Sequence, residues 1–260
     1  MLVERMQHFV LPVSAVNAQP LIGLKLQVDL DAPFRLFGVA VWNLGVPQFT
    51  GAEGQIALRF ERPDGRLIQR QLAASNQLFP GNQYNQESIS PNKAYVSPIR
   101  PGVLYPAGSV IEIDVQGLPT GIVNPSRSII VFVGTNIYQQ GTVWSPGYPK
   151  KPWTARPYLD NLTVTGSGFP IRNVPFTAQA DSDFVWQCGE YTDLSSGGAI
   201  DQFIDLGIMI RDPGYKAYSN DYVPAALLFP FLNAQAPGWL YPEIYVPRLT
   251  QLYFDFNLLT

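Results

Sequence analysis

Apolar and polar side chains alternate along many short segments of this chain, whereas helical periodicity is nearly absent. Residues 24–30, which read LKLQVDL, alternate as a half-buried β-strand does. Residues 34–42 are longer and more apolar, which predicts a strand in the middle of a sheet. Because 24 prolines and 22 glycines interrupt the chain, long helices are not expected. The pattern predicts an all-β protein.

Strand signatures and turn signals follow one another at short intervals along the rest of the chain. Further strands are predicted at residues 55–60, 66–72, 110–115, 128–133, 174–178, 184–189, 203–210 and 249–256. The sequence RPDG at Arg62–Gly65 predicts a hairpin, since proline presets φ and glycine accepts a positive φ. RDPG at Arg211–Gly214 is its counterpart. Such spacing is typical of sandwiches, barrels and jelly rolls.

Several of these segments occur twice. The matched pairs are residues 31–34 with 181–184, 58–63 with 208–213, and 101–106 with 237–242. The first two pairs are each separated by 150 positions, and the third by 136. A shared offset over tens of residues indicates two copies of one domain. We therefore predict two tandem jelly-roll-like β-sandwich domains related by internal duplication.

The repeat divides the 260 residues into two domains of ordinary size. Residues 1–141 form the first, with an N-terminal arm before its first strand, and residues 159–260 form the second. Residues 142–158, TVWSPGYPKKPWTARPY, are rich in proline and tryptophan and predict a semi-stiff linker. Residues 76–97 are rich in Asn and Gln and predict a long surface loop, of the kind that a partner often orders.

Charge and composition narrow the classes of function. Charged residues make up 14% of the chain, against about 25% in typical globular proteins, and aromatic residues make up 13%. Residues 1–150 carry 11 basic and 9 acidic side chains, and residues 151–260 carry 6 and 11, which gives +2 and −5. Lys and Arg are not clustered, so no nucleic-acid partner is predicted. Apolar runs are too short for a membrane span, and no secretory signal is visible, so we expect a cytoplasmic product.

The residues that most often perform catalysis are scarce. His8 is the sole histidine and is predicted to lie in the N-terminal arm, which does not favour a Ser-His-Asp or Cys-His mechanism. Cys188 is the sole cysteine, so an intramolecular disulfide and a cysteine zinc site are excluded. We interpret Cys188 as a small core residue. No phosphate-binding loop motif is present, and no cofactor is predicted.

Carboxylates supply the remaining candidates for chemistry. Asp29 and Asp31, and their counterparts Asp181 and Asp183, form pairs that a glycosidase or a cation site would use. A turn interpretation is favoured, because Asp bonds its own backbone where one strand ends and the next begins. A further hypothesis is a calcium-binding site formed by the carboxylates of Asp193, Asp201 and Asp205. We predict no metal site, no catalytic residue and no enzyme activity.

Aromatic residues interleaved with prolines are the strongest remaining signal. The interface candidates are Trp144, Tyr148, Trp153, Trp239, Tyr241 and Tyr84, and Tyr158 and Tyr245 share the pattern. Aromatic side chains are enriched at protein interfaces, and they also stack on sugars. We favour contacts between protein subunits over sugar binding.

The chain combines low charge, Pro/Gly-rich strands, tandem β-domains and segments such as Val103–Ile113. It resembles tailed-bacteriophage virion proteins of the minor capsid, decoration and collar type. The resemblance implies a structural role in the virion, assembled in the host cytoplasm. It also implies a homo-oligomer with the major capsid protein or collar and portal components as partners. The alternatives are a host-recognition module that binds a glycan and, third, a glycoside hydrolase.

Overall fold

A computed structural model describes eleven stretches of the chain. They are residues 2–14, 21–44, 56–60, 73–74, 97–117, 127–139, 162, 168–189, 206–214, 216–228 and 238–259. These stretches contain fourteen β-strands and one short helix, so the all-β prediction is confirmed. Within them no helix is long and apolar enough to cross a membrane.

Eight strands precede residue 140 and six follow it. The first eight are β1 (Leu2–Ser14), β2 (Leu21–Gln27), β3 (Phe34–Leu44), β4 (Ile56–Phe60), β5 (Ala73–Ala74), β6 (Ser97–Tyr105), β7 (Val110–Gly117) and β8 (Arg127–Gln139). The others are β9 (Ile171–Thr177), β10 (Phe184–Gly189), β11 (Leu206–Arg211), β12 (Val223–Pro224), β13 (Gly238–Val246) and β14 (Gln251–Leu258). The helix α1 (Ala225–Leu228) follows β12 directly.

The strands form four antiparallel sheets. The central sheet has the order β1-β8-β3-β6, and the outer sheet has the order β2-β7-β4-β5. The C-terminal sheet has the order β12-β11-β14-β9, and β10 pairs with β13 in a two-stranded sheet. Thus β3 lies inside the central sheet, as the apolar run of residues 34–42 predicted.

The central sheet is buried on both faces. Along β1, Phe9 and Val13 belong to a first core, which the central sheet shares with β2 and β7 of the outer sheet. Met6 and Val10 point the other way, because side chains alternate along a strand, and they belong to a second core. That second core contains Ile208 of β11 and residues of β14, so it joins both halves of the chain.

The prediction of an N-terminal arm before the first strand is wrong. Residues 2–14 are all in β1, which pairs with β8 over its full length from Leu2 opposite Gln139 to Ser14 opposite Arg127. The simple alternation that marks a strand with one buried face is absent here, because β1 buries residues on both faces.

The spacing of 136 does not describe the strand registers. Phe34 lies opposite Tyr105, and Phe184, which is 150 positions later, lies opposite Val246. The registers therefore relate Tyr105 to Val246, a separation of 141, and not to Tyr241. Tyr241, which the sequence match aligns with Tyr105, therefore lies five residues before the position of β13 that pairs as Tyr105 does.

The outer and C-terminal sheets contain the same local irregularity. In β2, Gly23 has a φ of 72°, and its amide donates to Asp114 of β7 over 2.8 Å. In β9, Asn173 has a φ of 58°, and its amide donates to Asp255 of β14 over 2.7 Å. Glycine and asparagine are the residues that adopt this left-handed conformation most readily.

Candidate functional site

A cluster of charged and aromatic side chains joins the two halves at one end of the central sheet. We call it the polar junction, and its members are Arg5, Asp31, Tyr138, Asp212 and Lys216. It forms where the chain reverses after β11 and lies against β1. The hairpin predicted at Arg211–Gly214 is confirmed, since the chain turns at residues 213–214 and Arg211 bridges Ala217.

Arg5 is the buried cation of the polar junction, with 5% of its surface exposed. Its guanidinium donates to Asp212 Oδ2 over 3.1 Å, to the Lys216 carbonyl over 2.9 Å and to the Ala217 carbonyl over 3.1 Å. It also lies 3.9 Å from the centroid of the Tyr218 ring. A planar guanidinium with several donors suits such a site better than an ammonium does.

Lys216 connects the same turn to the first half. Its Nζ forms an ion pair with Asp31 and donates to Tyr138 Oη over 2.7 Å. Burial opposes the charged form, but the hydrogen bonds to Asp31 and Tyr138 outweigh it and raise the pKa of Lys216. The ammonium therefore stays charged where it holds the loop before β3 against the turn after β11.

The outer edge of β1 is covered by a segment of the second half. The amide of His8 donates to the Tyr218 carbonyl over 2.8 Å, and the amide of Asn220 donates to the His8 carbonyl over 3.3 Å. Asn220 also bonds Val10 twice, since Oδ1 accepts from the amide and Nδ2 donates to the carbonyl. Residues 218–220 thus supply the backbone partners that an edge strand otherwise leaves to solvent or to other chains.

The contact between β1 and residues 218–220 is called the seam, and His8 lies buried in it. Desolvation by burial lowers the pKa of its imidazole from 6.5 to about 4, although a hydrogen bond to the Tyr218 backbone acts in the opposite direction. The ring is therefore neutral at pH 7. Its place between β1 and the 218–220 segment is that of a structural residue in the join between the halves.

The paired aspartates lie in two corresponding loops, where Asp29, Asp31 and Asp183 bond residues distant in the chain in place of the neighbouring backbone that the turn interpretation predicted. Asp29 accepts from Asn136 Nδ2 over 2.7 Å, whereas Asp31 pairs with Lys216. In the loop between β9 and β10, Asp183 accepts from Tyr245 Oη over 2.6 Å and from the Arg248 amide over 2.9 Å. Asp29 and Asp183 thus hold their loops to the neighbouring strands β8 and β13, and Asp31 holds its loop to the turn after β11.

The Asp183–Tyr245 pair has shifted titrations. The hydrogen bond from Tyr245, followed by that from the Arg248 amide, lowers the pKa of Asp183. Burial and the Asp183 carboxylate raise the pKa of Tyr245 to about 12. Both shifts keep the carboxylate charged and the phenol protonated at pH 7. In the described stretches, no group of three or more His, Cys, Asp or Glu residues is placed to hold a metal ion.

A small cavity lies beside the seam. Its volume is about 140 Å³, and it is lined by Val10, Pro12, Ile129, Asp221, Tyr222, Asn257, Leu258 and Leu259. Sites for drug-sized ligands are typically about 300 to 1,000 Å³, so this cavity suits a few water molecules.

Most of the aromatic interface candidates lie outside the described residues. These are Trp144, Tyr148, Trp153 and Tyr84, and the same holds for Tyr158, the linker 142–158, loop residues 76–96 and the calcium candidates Asp193, Asp201 and Asp205. Trp239 and Tyr241 belong to β13, where the backbone places Trp239 opposite Cys188. Cys188 is half-buried.

Sequence reasoning did not find the polar junction. Arg5 lies in a segment for which the sequence predicts an N-terminal arm, as does the nearby His8. The partners of both residues lie more than 200 residues later in the chain. A useful signal was present, because Arg5, Gln7 and His8 interrupt an apolar segment that has the length of a strand. Polar residues in such a segment need buried partners.

Comparisons with known proteins add no family to this description. A scan against protein-family models found no match, and a search of curated proteins found no similar sequence.

Proposed function

We propose that this protein is a structural component of a tailed-bacteriophage virion that stabilises or decorates the capsid or the head–tail collar. In this proposal it acts through protein–protein contacts, as a homo-oligomer and with other virion proteins as partners. The two halves are jelly-roll-like sandwiches that arose by duplication of one domain. The product is assembled into the particle in the host cytoplasm.

The duplication is supported by contacts that recur at equivalent positions. The Asp114 and Asp255 hydrogen bonds described above are one pair. A second pair is formed by two turns, in which Ser109 bonds the Pro106 carbonyl and Thr250 bonds the Pro247 carbonyl, each from its amide over 3.1 Å. Two matching sets of backbone contacts are hard to explain by similar composition alone.

The single observation that carries the proposal is a group of exposed apolar side chains at one end of the first half. We call this group the apolar end, and it consists of Leu30, Leu104 and Val110. Leu104 lies near the end of β6 and Val110 begins β7, so both flank the turn that joins these strands. Leu30 is 83% exposed, and it would contact a Cβ added at Gly108.

Apolar side chains at one end of a domain favour association with another protein over solvent exposure. Leu249, which is 67% exposed, stands on the corresponding turn of the second half. The shared second core keeps the halves together under the load that a particle imposes.

The proposal is tested by Leu30→Asp, with Ala180→Asp as the matched control. Ala180 is exposed and lies 150 positions after Leu30, in the corresponding loop of the second half. We expect light scattering after size-exclusion chromatography to show an oligomer for the native protein and for Ala180→Asp, and smaller species for Leu30→Asp. We also expect mass spectrometry of purified virions from the source phage to detect the protein.

A protein that is strictly monomeric at all concentrations, and absent from particles, would contradict the proposal. Binding on a glycan array that is lost in Trp239→Ala would favour the host-recognition alternative instead. Polysaccharide cleavage abolished by a single Asp→Asn change would favour the glycoside hydrolase.

A further inference from the structure

The second half matches the first strand for strand, except at two positions. The C-terminal sheet, read as β9-β14-β11-β12, has the same order as the outer sheet, read as β2-β7-β4-β5. The β10–β13 pair likewise has the register of the β3–β6 pair at Phe184 and Phe34. Among the described strands of the second half, none corresponds to β1 or β8.

The second face of the central sheet contributes to the core of the second half. Met6 and Val10 of β1, and Ile129 and Val131 of β8, are buried in the core that contains the C-terminal strands. The opposite faces of the same two strands, with Phe9 and Ile130 among them, are buried in the first core. Each half therefore relies on β1 and β8 for apolar contacts.

We propose that β1 is a clamp strand common to both halves, and that neither half stays folded when β1 leaves. The second half would lose one wall of its core, since Met6 and Val10 go with the strand. It would also lose its buried ion pair, because Arg5 is the cation that pairs with Asp212. The first half would lose Phe9 and Val13.

The clamp makes the chain a single cooperative unit in place of two domains that unfold separately. Cooperative units share buried contacts, whereas tandem domains with small interfaces open independently. This inference rests on the two cores and the strand order, and it holds whether or not the protein belongs to a virion.

Two substitutions on opposite faces of β1 distinguish a single cooperative unit from two domains that unfold separately. Val10→Ala removes methyl groups from the second core, and Val13→Ala removes the same groups from the first, at sites that are 3% and 2% exposed. In urea, hydrogen exchange with mass spectrometry reports on β7 for the first half and on β14 for the second. We expect each variant to lower the unfolding midpoint of both strands by the same amount.

A milder pair repeats the test if an alanine variant does not fold. Ile129→Val and Ile130→Val each delete one methylene from adjacent residues of β8 that face the second and the first core. Equal shifts in β7 and β14 support the clamp. The proposal is overturned if the Val10 and Ile129 variants shift only β14 while the Val13 and Ile130 variants shift only β7.

Discussion

Asp114 and Asp255 accept the same hydrogen bond in two different sheets, each from an amide whose residue has a left-handed φ. Asp255 has an additional partner, since Arg211 Nη2 lies 2.7 Å from both of its carboxylate oxygens. The two aspartates are both nearly buried. The irregular turns of β2 and β9 are therefore held by a charged acceptor in a region of low dielectric.

Asp255→Ala is expected to destabilise the protein by about 3 kcal/mol, because it removes the acceptor of the Asn173 amide and the carboxylate that pairs with the partly buried Arg211. Asp255→Asn keeps one acceptor oxygen and should cost about half as much. Urea unfolding measures both values. A loss below about 0.5 kcal/mol for Asp255→Ala would show that the contact is not part of the stable fold.

Gly134→Ala is expected to prevent normal pairing of β8 with β3. A Cβ at this position would lie 2.1 Å from the Arg35 carbonyl oxygen and 2.6 Å from the Phe34 ring. The strands must separate to admit it, so we expect a loss of more than about 3 kcal/mol in thermal or urea unfolding. Gly168→Ala is the control, because a Cβ there meets nothing within 4 Å.

Arg5→Met is expected to cost about 3 kcal/mol, since it removes the buried guanidinium that pairs with the Asp212 carboxylate and donates to the Lys216 and Ala217 carbonyl groups. The control is Lys25→Met, which breaks the exposed pair of Lys25 with Glu112 and should change stability by less than about 0.5 kcal/mol. Similar losses for the two variants, measured by urea unfolding, would mean that the polar junction does not hold the halves together.

Acidification is expected to weaken the fold through His8. Its pKa is lowered from 6.5 to about 4 in the folded protein, so between these values the unfolded chain binds more protons than the folded one. Stability therefore falls as the pH drops from about 6.5 towards 4, and the contribution of His8 amounts to about 3 kcal/mol at pH 4.

Urea unfolding at pH 7 and pH 4 checks this contribution, with His8→Gln as the comparison because it removes the titrating group. The native protein should lose about 3 kcal/mol more than the variant between the two pH values. Carboxylates such as Asp183 titrate in both proteins, so their effect cancels in the difference. Parallel losses in the two proteins would contradict the assignment.

The sequence predicted the secondary structure best where a strand follows a turn signal. The segment 184–189 coincides with β10, and the segment 55–60 differs from β4 by one residue. The sequence does not predict β6, because Pro98 and Pro101 are residues typical of turns. In the structure β6 is an edge strand of the central sheet. Proline is tolerated at an edge, where a missing donor costs no ladder hydrogen bond.

The amino-acid sequence alone is enough to show that this protein is built from β-strands, where many of them lie, and which segments match at a separation of 150 residues. These properties are local, because they follow from alternation, from proline and glycine, and from repeated letters. Pairing over long distances is not local. Arg5 meets Asp212 across 207 positions, and β1 pairs with a strand more than 110 residues later.

The folded chain alone reveals that β1 contributes to two cores and that a turn of the second half covers its edge. A strand buried on both faces has no alternation to reveal which side it shows to which partner. Its polar residues Arg5 and His8 are explained by neighbours that folding alone brings together. The choice of those neighbours depends on how the sheets stack, and the free energy of that stacking is spread over the whole core.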